Sequence, residues 1–267
     1  MVSVVLALLL LGLLAITLAT IQTVYVPRWV EQQEGLHMHA VAAQFADIKH
    51  AIDIQSISQD KTSISIPLTL GMEQQSFLTT SRSYGSIHID SNSFSFQMSN
   101  SSESLFFSLD TLYYSSRNNY YVDQSYILEA GAVIINQTEG NILSTDPSII
   151  YNDQGFDLVY TLFNISERGG KTDIGGYGTY LIQTNYSHSN SFNLTDVTNI
   201  QITTRHPYCW YKLFNSTLQD IGLEYNLDYS IDVNGDLVDI SNLAGANLDI
   251  SLDIVKIFAQ ISPGRIR

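Results

Sequence analysis

From Val2 to Ile21 the chain is a nearly unbroken apolar run, VSVVLALLLLGLLAITLATI, and no charged side chain appears before Arg28. At 1.5 Å rise per residue, a helix of about twenty such residues spans roughly 30 Å, the thickness of a bilayer hydrocarbon core. Val2, Val5, Leu6, Leu9, Leu13, Ile16 and Ile21 belong to that helix, and because the residues between them are nearly all apolar too, it is apolar on every side and needs a membrane or a bundle of like helices around it. Everything downstream is tethered to it.

A cleaved secretory signal would show a basic start, a short apolar stretch and a small-residue cleavage site. Only Met1 precedes this run, and Leu18-Ala19-Thr20 leads into Ile21-Gln22 and a further apolar patch, Val24-Tyr25-Val26. The segment is therefore expected to be retained. Tyr25, Pro27, Arg28 and Trp29 make an amphipathic cluster suited to the level where a helix leaves a bilayer. Pro27 has no N–H to donate and is expected to kink the helix.

The helical pattern then resumes. Met38, Val41, Phe45, Ile48 and Ile52 fall at alternating spacings of three and four, while Glu34, Gln44, Asp47, Lys49 and Asp53 are assigned to other faces. Such a stripe packs either on the chain's own downstream domain or on copies of itself, and it is too short for a sustained coiled coil.

Past about residue 57 the period falls to two. Ile64, Ile66 and Leu68 alternate with polar residues, as do Ile87 and Ile89, then Phe94, Phe96 and Met98. Further strands are expected over 104–109, 120–128, 132–135, 158–163, 179–184 and 197–203, with a last one through Leu248, Ile250, Leu252 and Ile254. Asn234-Gly235, between Tyr229, Ile231, Val233 and Leu237, Ile240, points to a type I′ hairpin. A short helix over 206–220 is expected from Pro207 and the stripe Trp210, Leu213, Phe214, Leu218, Ile221. The fold class is α+β: a long helix over 1–57, hydrophobic and then amphipathic, followed over 58–267 by a β-rich, antiparallel, sandwich-like domain with one short helix.

Charge excludes more than it identifies. Twelve Lys and Arg against 26 Asp and Glu give a net −14 with no basic cluster, which disfavours nucleic acid. Cys209 is the single cysteine, so neither an internal disulfide nor a cysteine metal cage is possible, and it reads as a small buried hydrophobe beside Trp210. The histidines at 37, 39, 50, 88, 188 and 206 have no metal-ligand spacing. Asp232 to Asp236 lacks the later Glu and flanking helices of a calcium loop. Gly175-Gly176-Tyr177-Gly178 follows no βα unit and reads as a turn. No nucleophile elbow exists, and the carboxylate pairs Asp146 with Asp153 and Asp228 with Asp232 read as solvated turn residues. No enzyme activity, cofactor or metal is expected.

Asn-x-Ser/Thr sequons open at Asn100, Asn136, Asn164, Asn185, Asn193 and Asn215, all beyond the apolar helix. They agree with an outward-facing domain carrying covalently attached glycans. Tyr113-Tyr114 and Tyr120-Tyr121 motivate an alternative, a membrane-anchored monomer that recognises an envelope component, glycan or solute, although sheet packing explains the same residues.

The apolar run, the exit segment YVPRWVEQQE, the helix AVAAQFADIKHAID and the stretches SISIPLTLG, SFLTTSRSYGSIHID and YILEAGAVIINQTEG together resemble archaeal type IV pilin-like surface proteins. The resemblance covers much of the first 140 residues, with a looser echo in WYKLFNSTL. It implies a precursor inserted in the membrane and processed at a class III signal site. Its hydrophobic helix would then stay in the membrane or pass into the core of a filament built from copies of the chain, with the glycosylated domain at the cell surface in attachment or adhesion. Two features depart from the pattern: no basic leader precedes the helix, and no acidic residue precedes Glu31.

Overall fold

The computed structural model describes residues 2–72, 82–151, 157–168, 173–246 and 248–261. A single long helix leads the chain: α1 (Val2–Thr20), a π-helical turn (Ile21–Tyr25) and α2 (Val26–Ser58). The departure from α geometry falls in the turn just before Pro27, where the Val26 N–H donates to the Ile21 carbonyl five residues back. Pro27 supplies no N–H and its ring crowds the carbonyl four residues earlier, and a widened turn relieves that crowding. The helix stops at Gln59, which adopts a left-handed φ of 51°.

Fourteen strands follow among the described residues. One sheet runs in the order β1 (Ile64–Thr69), β10 (Thr179–Leu194), β14 (Asp249–Ile261), β8 (Asp157–Glu167), β7 (Ser148–Tyr151). The other runs β12 (Ser230–Asn234), β13 (Leu237–Ser241), β11 (Asn199–Thr203), β2 (Tyr84–Ser99), β3 (Ser104–Arg117), β4 (Gln124–Glu129), β5 (Ala132–Gln137), β6 (Gly140–Thr145), with β9 (Asp173–Gly176) also on β2. A third helix, α3 (Pro207–Asp220), and a 3-10 turn (Leu243–Gly245) complete it.

Three sequence expectations change. The sheet is not wholly antiparallel, because β14 runs parallel to β8 from Asp249 opposite Asp157 to Ala259 opposite Glu167; local alternation fixes a strand's faces but not its neighbour's direction. Residues 120–123 are loop, and β4 starts at Gln124. In the β12–β13 hairpin Asn234 pairs with Leu237, so the loop residues are Gly235 and Asp236, and only Gly235 has positive φ, at 61°. That is the type II′ pattern, with glycine first, rather than type I′.

Nor is this a simple sandwich with one core. One apolar cluster gathers α3 with Phe94, Phe96, Leu109, Tyr160 and Leu162, and a second gathers α2 with Ile87, Leu112, Phe163, Ile165 and Ile257. In β8 the switch falls between the neighbours Leu162 and Phe163, which point to opposite faces of the sheet. β3 switches likewise between Leu109 and Leu112, while β2 carries a bulge between Asp90 and Phe94 at the same level, with Asn92 at φ 53°. Each sheet therefore buries one face at one end and the other face at the other end.

Close backbone approach occurs where β1 ends against β2. A Cβ on Gly85 would lie 1.7 Å from the Leu70 carbonyl oxygen, and that same oxygen accepts the Tyr114 hydroxyl at 2.6 Å. Only glycine fits there.

Candidate functional site

The apolar half of the long helix is bare. Its most apolar 18-residue window has a mean hydropathy of 2.9 and buries nothing within the molecule. Val5, Leu6, Leu9, Leu13 and Ile16 are 57–67 % exposed and Ile21 is half-buried; the side chain of Val2 lies outside the described residues. The hydroxyls of Thr17, Thr20 and Thr23 donate to the carbonyls of Leu13, Ile16 and Ala19, four residues back. These polar groups are thus satisfied inside the helix, as an apolar surrounding demands.

α2 belongs to the β-domain's core. Met38, Val41, Phe45, Ile48 and Ile52 are all buried against β1, β10, β4 and β5. Of the two arrangements the stripe allows, it adopts the one on the chain's own domain. Phe45 packs against the rings of Tyr114 and Tyr126, with centroids at 6.1 and 5.5 Å. Tyr126 donates its hydroxyl to the Met38 carbonyl, and burial pushes that hydroxyl's pKa up to about 12.

Two residues assigned to the polar face are in fact buried. Glu34 is fully enclosed, and its carboxylate accepts the backbone N–H groups of Asn119, Tyr120 and Tyr121 at 2.8, 2.9 and 2.9 Å, with the Asn119 side-chain amide at 3.2 Å. The β3–β4 loop is shaped to present these donors, since Asp123 accepts the Asn118 N–H at 2.7 Å and Asn118 bonds the Val122 carbonyl. Three successive N–H groups converging on one anion form a nest. Lys49 is also buried; its ammonium donates to both oxygens of Asp53 at 2.6 Å and lies 5.5 Å from the centre of the Phe163 ring. Gln44 and Gln55 finish the seam, Gln44 accepting the Thr69 N–H and Gln55 donating to the Thr62 and Thr184 carbonyls. Periodicity marked these residues as polar and so outward; the partners that bury them lie more than twenty residues away in most cases and leave no local signal.

The tyrosine pairs are largely committed to packing. Tyr114 is buried, Tyr113 packs at a tilt against His88 with centroids 4.9 Å apart, and a Cβ on Gly35 would meet the Tyr121 ring at 3.2 Å. Tyr120 alone of the four is exposed.

No family model, curated protein or solved structure matches this chain.

The sequons occupy unequal positions. Asn193 is exposed at the end of β10 and Asn136 half-buried in β5. Asn100 and Asn185 donate their amide N–H to the Thr195 and Lys61 carbonyls, Asn164 accepts the Asp110 N–H, and Asn215 on α3 accepts the Tyr229 hydroxyl.

A second polar knot lies under α3. Glu129 is buried, and one oxygen accepts both the Trp210 indole N–H at 2.6 Å and the Thr204 hydroxyl at 2.7 Å. Desolvation raises its pKa to about 7 against those two bonds. Burial also lowers His206 to about 4 and pushes the Cys209 thiol up to about 11, so the lone cysteine is an inert core residue beside Trp210. Among the described residues no group of His, Cys, Asp or Glu is arranged to hold a metal.

Proposed function

We propose that this chain is the structural subunit of a type IV pilus-like surface filament, assembled through α1, with its β-domain facing outward. The observation that carries this is the pairing of a wholly bare apolar helix with a continuous extension clamped into the β-domain core. A helix apolar on all sides is covered either by lipid or by its own copies, and it leaves lipid favourably only where close packing replaces lipid contacts with denser dispersion contacts. The clamp at Glu34 and the Phe45 stripe make anchor and domain one body, so a load on the domain passes to the helix. The resemblance of the N-terminal half to archaeal pilin-like proteins points the same way.

Paired cysteines at Leu9→Cys and Ile16→Cys test it, because Cys209 is buried and will not compete. Oxidised surface material is expected to give a ladder of cross-linked dimers, trimers and higher species. Monomer alone would contradict assembly through α1. The anchored-monomer alternative loses most of its motivation, since three of its four tyrosines are packed.

A further inference from the structure

Where α2 covers one face of the five-stranded sheet, the opposite face is open. Along β14, Val255, Ile257 and Ala259 point into the α2 core, so Lys256, Phe258 and Gln260 point away from it. Two hollows lie in line on that face. One, of about 330 Å³, is walled by Phe106, Asn190, Phe192 and Lys256 among others; the next, of about 290 Å³, by Arg168, Gln183, Asn185 and Phe258. Phe258 stands opposite Asn185 and Lys256 opposite His188 across the β10–β14 ladder, so the two are neighbours in one groove.

The groove combines cations, amides and an aromatic ring. In a chain of net charge −14, Arg168 and Lys256 flank one ring, 5.7 and 5.5 Å from the Phe258 centroid. Arg168 is held there by its N–H, which donates to the Ala259 carbonyl. Among the described residues neither cation forms a salt bridge, and Gln183, Asn190 and Gln260 make no side-chain hydrogen bond. Phe106 at the far end is 61 % exposed. Uncommitted amides offer both donors and acceptors to hydroxyl groups, the bare Phe106 ring offers a flat apolar face to sugar C–H surfaces, and the guanidinium offers a fork for a carboxylate.

We propose that this groove binds an acidic polysaccharide, its carboxylates on Arg168 and Lys256, which Phe258 positions, and its sugar rings against Phe106. Free anions would need the cations alone, and an acidic polypeptide would not need the row of amides. Two sequon asparagines, Asn164 and Asn185, also line the groove; Asn185 donates its amide N–H to the Lys61 carbonyl, and Asn164 accepts the Asp110 N–H with its side-chain oxygen. Binding in the groove requires that neither asparagine carry a covalent glycan.

The test is calorimetric titration of the full chain in detergent micelles with polygalacturonate, neutral dextran and polyglutamate. Polygalacturonate is expected to bind, and dextran and polyglutamate at least tenfold more weakly. Exchanging both cations, R168E with K256E, is expected to cost more than tenfold. F258A and Q183A, which keep every charge, are expected to cost several-fold, with circular dichroism confirming the fold of each variant. Equal binding of polyglutamate would reduce the groove to plain charge attraction and overturn the proposal. So would equal binding of dextran, undiminished binding by the double charge variant, no binding of polygalacturonate, or a glycan found by mass spectrometry on Asn164 or Asn185. None of these results bears on filament formation, which rests on α1.

Discussion

The carboxylate of Glu34 accepts the backbone N–H of Tyr121 at 2.9 Å, and the ring of the same tyrosine covers the helix at Gly35. One residue of the β3–β4 loop thus fixes the long helix by charge and by shape, four residues before the apolar stripe begins at Met38. The helix cannot turn about its axis without breaking both contacts.

Glu34→Ala leaves the N–H groups of Asn119, Tyr120 and Tyr121 facing an apolar void. A buried donor deprived of its partner costs about 1–3 kcal/mol, and more for bonds to a charge. Urea unfolding of the detergent-solubilised chain is expected to show a loss of about 3 kcal/mol or more. A loss under about 0.5 kcal/mol would show that the nest does not hold the helix.

Phe45→Ala removes a fully buried ring packed against two tyrosines and is expected to cost about 3–5 kcal/mol. Truncation extends the same argument. A chain beginning at Arg28 keeps the whole buried stripe and is expected to fold and melt cooperatively without detergent. A chain beginning at residue 58 loses Met38, Val41, Phe45, Ile48 and Ile52, each worth about 1.5–3 kcal/mol when buried, against a total stability of about 5–15 kcal/mol for a domain. It is expected to be unfolded by circular dichroism. A folded fragment from 58 would contradict this.

Glu129 and His206 act on stability with opposite signs. Glu129 has its folded pKa raised to about 7, so the folded state holds a proton that the unfolded state releases between about pH 4.5 and 7, and its contribution declines as pH rises through that window. His206 is lowered from 6.5 to about 4, so its contribution is present above pH 6.5 and lost as pH falls toward 4. The wild-type profile is therefore flattened between them. Glu129→Gln keeps an acceptor for Trp210 and Thr204 without a charge, and the Tm difference between variant and wild type is expected to grow in the variant's favour from pH 5 to pH 8. A difference independent of pH would contradict a buried carboxyl titrating near neutrality.

Much of this architecture is written in local periodicity. The spacing of Met38, Val41, Phe45, Ile48 and Ile52 gives the helix and its buried face, and alternation through Phe94, Phe96 and Met98 gives a strand and its inward side. What local pattern does not carry is partner choice. β14 alternates in the same way whether its neighbour runs parallel or antiparallel, and the parallel pairing with β8 follows from the sheet as a whole. The Glu34 nest was hidden for a related reason: a glutamate on a helix is ordinarily solvated, and its donors lie 85 to 87 residues away on a loop. The groove behind α2 depends on the cores changing faces at Leu162 and Phe163, which no single strand's pattern reveals.

Cryo-electron microscopy of filaments sheared from cells making this chain will show whether the bare helix packs on its own copies. Filaments are expected whose subunits are identified as this chain by mass spectrometry, with Leu9 and Leu13 packed against neighbouring copies in a lipid-free central bundle. Recovery of the chain only as a detergent-soluble monomer, with no filament containing it, would contradict assembly through α1.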